Sequence, residues 1–428
     1  MTTTAPELAP EISRGRRKLV PGLIRDNQNF RRLWAGQASS MLGDQVSFIA
    51  LPLVGVLALD ASPAQMGYLA AAGLIPNLLF ALHAGALVDR FGRRRQIMVA
   101  ADFGRAALLL TIPVAYLLDL LSLRLLYVVA FGVGTLSVLF QVSYSTLFIS
   151  VVSRARYVEG NSILQGTRSL SFVAGPSVGG VLVQILTAPI TMLVDAASFL
   201  LSALFLGKIR ATEPPVETSE RGHLAAGARF IAGTSVIRSM LLSSATINFF
   251  NYMFWALFVL YVSRELDVTP GLLGAILGAA SIGGVLGSIL TGRIGRVLGI
   301  GPTYLVGCLL FTAPLMLVPL AGGPQPQIVA MLFVAEFASG FGVMLLDISG
   351  MSISASLVPD RLRARVAGAH MLVNYGVRPL GSLAGGALGA TIGLHPTLWI
   401  ATVGAMAGLL WAVPSPVRAL RQLPEQAE

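Results

Sequence analysis

Long apolar runs broken by short polar turns set the pattern of this chain. With about 20 apolar residues per bilayer crossing, runs fall near 34–58, 64–88, 97–118, 125–150, 162–185 and 188–207. A second set falls near 239–262, 271–292, 302–320, 327–356, 367–392 and 396–413. The pattern predicts an all-α membrane protein with twelve transmembrane helices in two six-helix, pseudo-symmetric halves. Only one connector is long and polar. It spans 208–238, where Glu213-Pro214-Pro215 breaks structure and Leu224 to Ile237 has the spacing of an amphipathic surface helix. The expected organisation is an N-terminal tail (1–29), a first half (30–207), the connector, a second half (239–413) and a C-terminal tail (414–428).

Composition narrows the class. With 55% hydrophobic and 12% charged residues, the chain lacks the charged exterior of a soluble domain. A formal charge of +10 invites a nucleic-acid reading, but the cations cluster at the ends of apolar runs, where they orient a membrane protein. Nearly all lie on one side: the N-terminal tail, the loop after Asp89, Arg154/Arg156, the connector, Arg293/Arg296, Arg361/Arg363/Arg365 and Arg418/Arg421. The opposite loops hold only Arg124 and Arg264. Both termini are therefore expected in the cytoplasm of a bacterial-type plasma membrane. The basic N-terminal stretch is not followed by a short apolar segment with a cleavage site, so no cleaved signal peptide is expected. Cys308 is the only cysteine, which excludes an intrachain disulfide and a multi-cysteine metal site. His83, His223, His370 and His395 have no metal-ligand spacing, and no phosphate-cradling loop is present. No metal, cofactor, nucleic acid or enzymatic chemistry is expected; a monomer in the lipid bilayer is.

The two sets of runs look like copies. Gly166-Thr167-Arg168-Ser169-Leu170 aligns with Gly376-Val377-Arg378-Pro379-Leu380 at an offset of 210, and the match continues through Gly175/Gly385 and Gly179/Gly389. Ser62-Pro63, Gly67 and Gly85 answer to Thr269-Pro270, Gly274 and Gly292 at an offset of 207. Such a parallel repeat places a substrate path between the halves.

The loop Gly85-Ala-Leu87-Val-Asp89-Arg90-Phe-Gly92-Arg93-Arg94-Arg95 is dense in charge between two apolar runs. Gly85 would permit close helix approach, Gly92 a tight turn, and Asp89 could meet a helix end or an arginine. This loop resembles the signature of the major facilitator superfamily, over roughly residues 30–413. The resemblance implies that the loop latches the two halves in one access state. In the second copy Arg296 stands where the first has Asp89. Gly175-Pro176-x-x-Gly179-Gly180 is similar to the core of the family's antiporter signature, with Ser162 and Ser171 where the full signature has glycine. Proline kinks a helix and the glycines let a neighbour pack closely. Gly381, Gly385, Gly389 and Gly393 form a matching stripe, read either as tight packing or as a sliding surface. Gly43-Asp44-Gln45, Asp102-x-x-Arg105 and Asp195-Ala196-Ala197-Ser198-Phe199 resemble the branch that contains the enterobactin exporter and macrolide efflux proteins.

Ionisable residues inside spans are tolerated only when they face a cavity or a partner. Asp102 and Arg105, three apart on one helix, are expected to pair. Asp44, two turns beyond Gln37, is expected to line the cavity, and Asp195 either pairs with Arg168 or serves transport. Glu336 and Asp347 are eleven residues apart, close to three turns, so both should face the same way. They are candidates for loading protons or reading a cationic substrate, unless one pairs with Arg378. Asn248, Asn251, Tyr252 and Trp255, with their aromatic and methionine neighbours, could form an adaptable pocket or face lipid. The fourth span has no arginine of the kind that proton-coupled drug exporters of this superfamily often carry there, so proton coupling rests on the acids.

The expected function is secondary export of an amphipathic small molecule, such as an antibiotic, siderophore or other secondary metabolite, by proton antiport with alternating access. Import or lipid translocation on the same fold is the alternative. A receptor or scaffold that has lost the transport cycle is the alternative from another class.

Overall fold

The computed structural model describes residues 21–210 and 224–422. The expected tail up to residue 20, the proline-rich centre of the connector and the last six residues lie outside the described residues. Every regular element described is helical. The first group of long helices is α1 (Gln28–Leu53, extended by a π turn over Val54–Ala58), α2 (Pro63–Phe91), α3 (Arg94–Leu117), α4 (Leu123–Val151), α5 (Tyr157–Leu186) and α6 (Ala188–Gly207). The second is α7 (Ser235–Arg264), α8 (Pro270–Leu298), α9 (Ile300–Thr312, continued to Leu320), α10 (Gln325–Leu357), α11 (Asp360–Ile392) and α12 (Leu394–Met406, followed by Leu409–Ala412). The protein is a multi-pass membrane protein.

Among the described residues ten of these helices qualify as long and apolar enough to cross a bilayer; the other two are α2, whose sequence is as apolar as theirs, and α11, which carries His370, Asn374 and Arg378. These two pack on each other. A side chain on Gly67 of α2 would place its Cβ 2.7 Å from the Cα of Gly386 on α11.

Local chemistry sets the helix ends. α2 begins with a capping box, in which the Ser62 hydroxyl accepts from the Gln65 amide at 3.4 Å and the Gln65 side chain accepts from the Ser62 amide at 2.8 Å. It ends at Gly92, whose φ of 60° is left-handed. Order starts earlier than the expected tail boundary: Gly22–Asp26 is helical, Leu23 is buried, and the Leu23 amide donates to Glu159 at 2.8 Å. The expected surface helix of the connector is Leu224–Gly233, and it docks on protein. Ile231 packs with Val358, Val366 and Ala369, and Gly227 meets the backbone of α11 at Arg365–Val366.

The internal repeat has a backbone counterpart. The left-handed residues fall into pairs across the two groups: Asp60 (φ 46°) with Asp267 (49°), Gly92 (60°) with Gly299 (94°), Asp119 (57°) with Gly323 (92°), and Thr187 (78°) with Gly393 (91°). Gly393 thus ends α11 instead of extending its glycine stripe.

The two groups share a core at one end only. At the end bearing Asp60 and Arg264, Leu53, Val54, Met66 and Leu69 are continuous with Leu257, Phe258, Leu273 and Ile276. At the other end each group has its own core. Phe30, Leu33, Met98 and Phe148 belong to the first, and Met240, Tyr304, Cys308 and Val417 to the second. The molecule is closed at the Asp60 end and parted at the Gly85 end.

Candidate functional site: a charged cavity in the first helix group

Glycines make the closure. A Cβ on Gly274 of α8 would lie 3.0 Å from the Cα of Gly180 on α5, so the two backbones touch, as do those of Gly67 and Gly386. A Cβ on Gly389 would lie 3.0 Å from that of Pro63, and the Gly271 amide donates to Gln184 at 3.0 Å. Arg264 of α7 forms an ion pair with Asp60, and the rings of Phe48 and Trp255 meet across the groups at 5.8 Å. At the opposite end a Cβ on Gly85 or Gly292 would meet nothing within 4 Å. The close approach expected at Gly85 is therefore absent, because the ends of α2 and α8 stand apart here.

Within the first group, α1, α3, α4 and α5 enclose a cavity of about 190 Å³ lined by Gln37, Asp44, Gln45, Arg105, Gln141 and Arg168, among others. Gln37 and Asp44 share it, in keeping with their spacing. Asp44 is accessible in this space and forms no ion pair with Arg168. Asp102 and Arg105 are ion-paired and buried, with the guanidinium between the rings of Phe140 (4.4 Å) and Phe199 (4.0 Å).

Asp195 differs from expectation. It is buried and accepts hydrogen bonds from Ser47 and from Ser198, the latter at 3.0 Å, while Arg168 points elsewhere and lies 5.8 Å from the Phe172 ring. The cause is Gly43, whose missing side chain leaves room for Asp195 and Ser198 against α1. Gly175 and Gly179 serve the same helix, seating the backbone of α1 at Gln45 and Val46.

In the second group, Gly381 and Gly385 seat α7 at Phe249 and Met253. Arg378 donates from Nε to Asn248 at 3.1 Å, and its guanidinium lies 5.1 Å from the Tyr252 ring and 4.6 Å from the Tyr375 ring. Asn248 in turn donates to Asn374 at 3.0 Å, which also accepts from the Ser244 hydroxyl at 2.7 Å and donates to the His370 carbonyl at 3.0 Å. Asn374, Ser244 and Tyr375 escaped the sequence reading, although His370, Asn374 and Arg378 form a readable polar stripe at spacings of four.

The tenth-helix acids do not act as a matched pair. Glu336 is buried, with no hydrogen bond or ion pair among the described residues, whereas Asp347 is exposed. Equal angular position did not give equal surroundings, because α8 and α9 cover α10 unevenly: Gly340 meets Ala280 of α8 and Gly342 meets Leu310 and Phe311 of α9. Neither acid pairs with Arg378. The expected seventh-helix pocket divides likewise. Met253 and Phe254 are core residues and Asn251 is buried with an unbonded Oδ1, while Asn248 and Tyr252 join the Arg378 cluster.

In the loop, Arg90 and Arg93 are exposed and Arg94 is buried. Arg95 donates to the carbonyls of Gly207 (3.1 Å) and Ile209 (2.7 Å), neutralising the end of α6. The side chain of Asp89 lies outside the described residues.

The chain matches the transmembrane secretion effector family over residues 24–427. It is 27% identical over 368 residues to the multidrug efflux pump Tap of Mycolicibacterium fortuitum, covering 83% of this chain and 88% of that protein. It is also 20% identical over 316 residues to the staphyloferrin A transporter of Staphylococcus aureus, covering 72% and 77%. Among solved structures, a bacterial homologue of the iron transporter ferroportin in its inward-facing state superposes with a TM-score of 0.70 at 16% identity, covering 92% of this chain and 99% of the other. The nucleoside transporter NupG gives 0.69 at 15%, covering 92% and 100%. The chain belongs to the transmembrane secretion effector family of major facilitator transporters.

Proposed function

We propose that this member of the family exports an amphipathic small molecule from a bacterial cytoplasm by proton antiport. The observation that carries the reading is the closure of one end by two glycine seams, with the groups parted at the other end and a charged cavity within the first group. All twelve long helices cross the bilayer, α2 and α11 sheltered by each other. The positive-inside rule puts both termini, and therefore the open Gly85 end, in the cytoplasm. The structure is then an inward-open state, poised to load. Asp44 and Asp347, accessible within spans, are the groups that exchange protons or meet a cationic group, with buried Glu336 as a further proton site. Asp89 and the arginines after it bias the access state, and the glycine-lined faces of α5 and α11 let α1 and α7 shift. The sequence similarity to efflux and siderophore transporters supports export of a drug-like or siderophore-like molecule.

The test is accumulation of a panel of antibiotics and siderophores in cells with and without the gene, repeated with a protonophore. Export of at least one compound that stops when the proton gradient collapses supports the proposal. Export untouched by the protonophore removes the antiport, and transport of nothing in the panel together with inward movement of a nutrient would reverse the direction.

A further inference from the structure

We propose that Arg378 is the receptor for an oxyanion on the transported molecule, so that substrates are amphipathic carboxylates or phosphates. This rests on the export reading and specifies its substrate class. A guanidinium inside a transmembrane helix is costly unless a counter-charge meets it, yet no carboxylate of the described residues forms an ion pair with Arg378. Asp347 on α10 lies within electrostatic reach of Arg378 but makes no contact ion pair with it, and it stands exposed. The charge is instead held in place by neutral groups. Nε is taken by Asn248, Asn248 is fixed by Asn374, and Asn374, only 5% exposed, is anchored to Ser244 and His370.

This arrangement orients the guanidinium without a contact counter-ion among the described residues. With Nε on Asn248, the Tyr252 hydroxyl also in hydrogen-bonding reach and the Tyr252 and Tyr375 rings beside the guanidinium, the remaining N–H groups of its two terminal nitrogens are the side left for a ligand. A planar fork presented in this way matches a carboxylate or phosphate in two parallel hydrogen bonds. The tyrosine rings, with Trp255 one turn further along α7, supply flat apolar surface for the body of an amphipathic molecule. The equivalent residue of the first group, Arg168, makes no hydrogen bond among the described residues and has a single ring at 5.8 Å, so this ordering belongs to Arg378 alone of the two.

The experiment compares binding of pyrenebutyrate and its neutral amide, pyrenebutyramide, to the purified full-length protein in detergent, read by pyrene fluorescence. The acid is expected to bind about tenfold tighter or more. Arg378→Gln should abolish the difference, and Arg378→Lys should keep part of it, because an ammonium supplies charge without the fork. Asn248→Asp supplies an internal carboxylate beside the guanidinium and should also abolish the preference, which keeps the test decisive if Arg378→Gln does not fold. Arg124→Gln, which removes a charge in the first turn of α4, should leave the preference intact. Competition with dioctanoyl phosphatidic acid separates the two sources of the anion. Displacement of pyrenebutyrate assigns the site to lipid phosphate and its absence to a soluble carboxylate, and each supports an oxyanion site. Equal binding of acid and amide to the unaltered protein, or a preference that survives in both Arg378→Gln and Asn248→Asp, overturns the proposal. Because the readout is binding, an exporter of neutral or cationic compounds would fail here while passing the export test.

Discussion

Gly43 of α1 lies against Ser198 of α6, and its counterpart Phe250 of α7 lies against Gly404 of α12. Gly36 and Ser202 make the neighbouring contact in the first group, with a Cβ at Gly36 3.3 Å from the serine hydroxyl; Ser243 and Gly408 face each other in the second, with a Cβ at Gly408 3.0 Å from the Ser243 carbonyl oxygen. The small residue has moved from one helix to the other while the helix pair stayed. The charges did not stay. At the same offsets Asp44 corresponds to Asn251, Asp102 to Leu309, Arg105 to Thr312 and Asp195 to Ala401, while Asp347 corresponds to Gln141 and Glu336 to Ala130. Close packing requires only that two surfaces fit, so either partner can supply the gap. A charge must be matched to a particular ligand or proton. Acids on the first, third and sixth helices of one group and on the fourth helix of the other therefore make the two groups chemically unlike.

The largest effect is expected where the first group has a buried charge pair and the second has none. Asp102→Asn strands Arg105 in the core and should lower stability by about 3–5 kcal/mol, measured as thermal unfolding in detergent. The double change Asp102→Leu with Arg105→Thr imports the second group's solution. It should recover most of that loss, falling short by the packing Arg105 gives to Phe140 and Phe199. If the single change is harmless, the pair is not what distinguishes the two groups.

Next come the two seams, where the groups ought to behave alike. Gly180→Val would drive a side chain into the backbone of α8, and Gly67→Val into that of α11. Each should cost roughly 1–3 kcal/mol of the closed arrangement and expose the Asp60 end. Because Cys308 is buried and alone, a cysteine placed near Asp60 reports this by faster labelling. Labelling that rises for one variant only would show that a single seam governs closure.

A smaller effect tests the acids themselves. Asp44→Asn gives α1 the residue that α7 has at the same position. Asp44 is accessible, so stability should barely change, while proton-dependent export should fall about tenfold, roughly 1.4 kcal/mol. Unchanged export with Asp44→Asn and a large loss with Asp347→Asn would place proton exchange wholly in the second group.

Much of this contrast was visible in the residues. Apolar runs, loop cations and the recurrence of Gly175/Gly385 reveal the helices and their duplication, since these follow from properties of single segments. What stayed hidden depends on contacts between segments. The hold of Ser47 and Ser198 on Asp195 exists only because Gly43 lets two helices touch, and the bracing of Arg378 needs Asn248 from a helix more than a hundred positions away in sequence. Glu336 and Asp347 share a helical face, yet their burial differs because other helices cover that face unevenly. The Gly67–Gly386 contact joins one helix from each group, and no spacing within either helix announces it.

The smallest expected effect lies in the ion pair at the closed end. Asp60 and Asp267 are twins in backbone, both left-handed, but only Asp60 has an arginine partner, because Leu57 occupies the position that answers to Arg264. Asp60 is 95% exposed in side chain, so water competes for both charges and Arg264→Gln should weaken closure by only about 0.2–1 kcal/mol. That is at most about a fivefold shift toward the opposite access state, visible as faster labelling of a cysteine near Asp60 and suppressed by salt. Asp267→Asn, which removes the unpaired twin, should not change labelling. An effect of Arg264→Gln as large as that of Gly180→Val would mean that the charged clasp holds this end shut and that the glycine seams merely allow it.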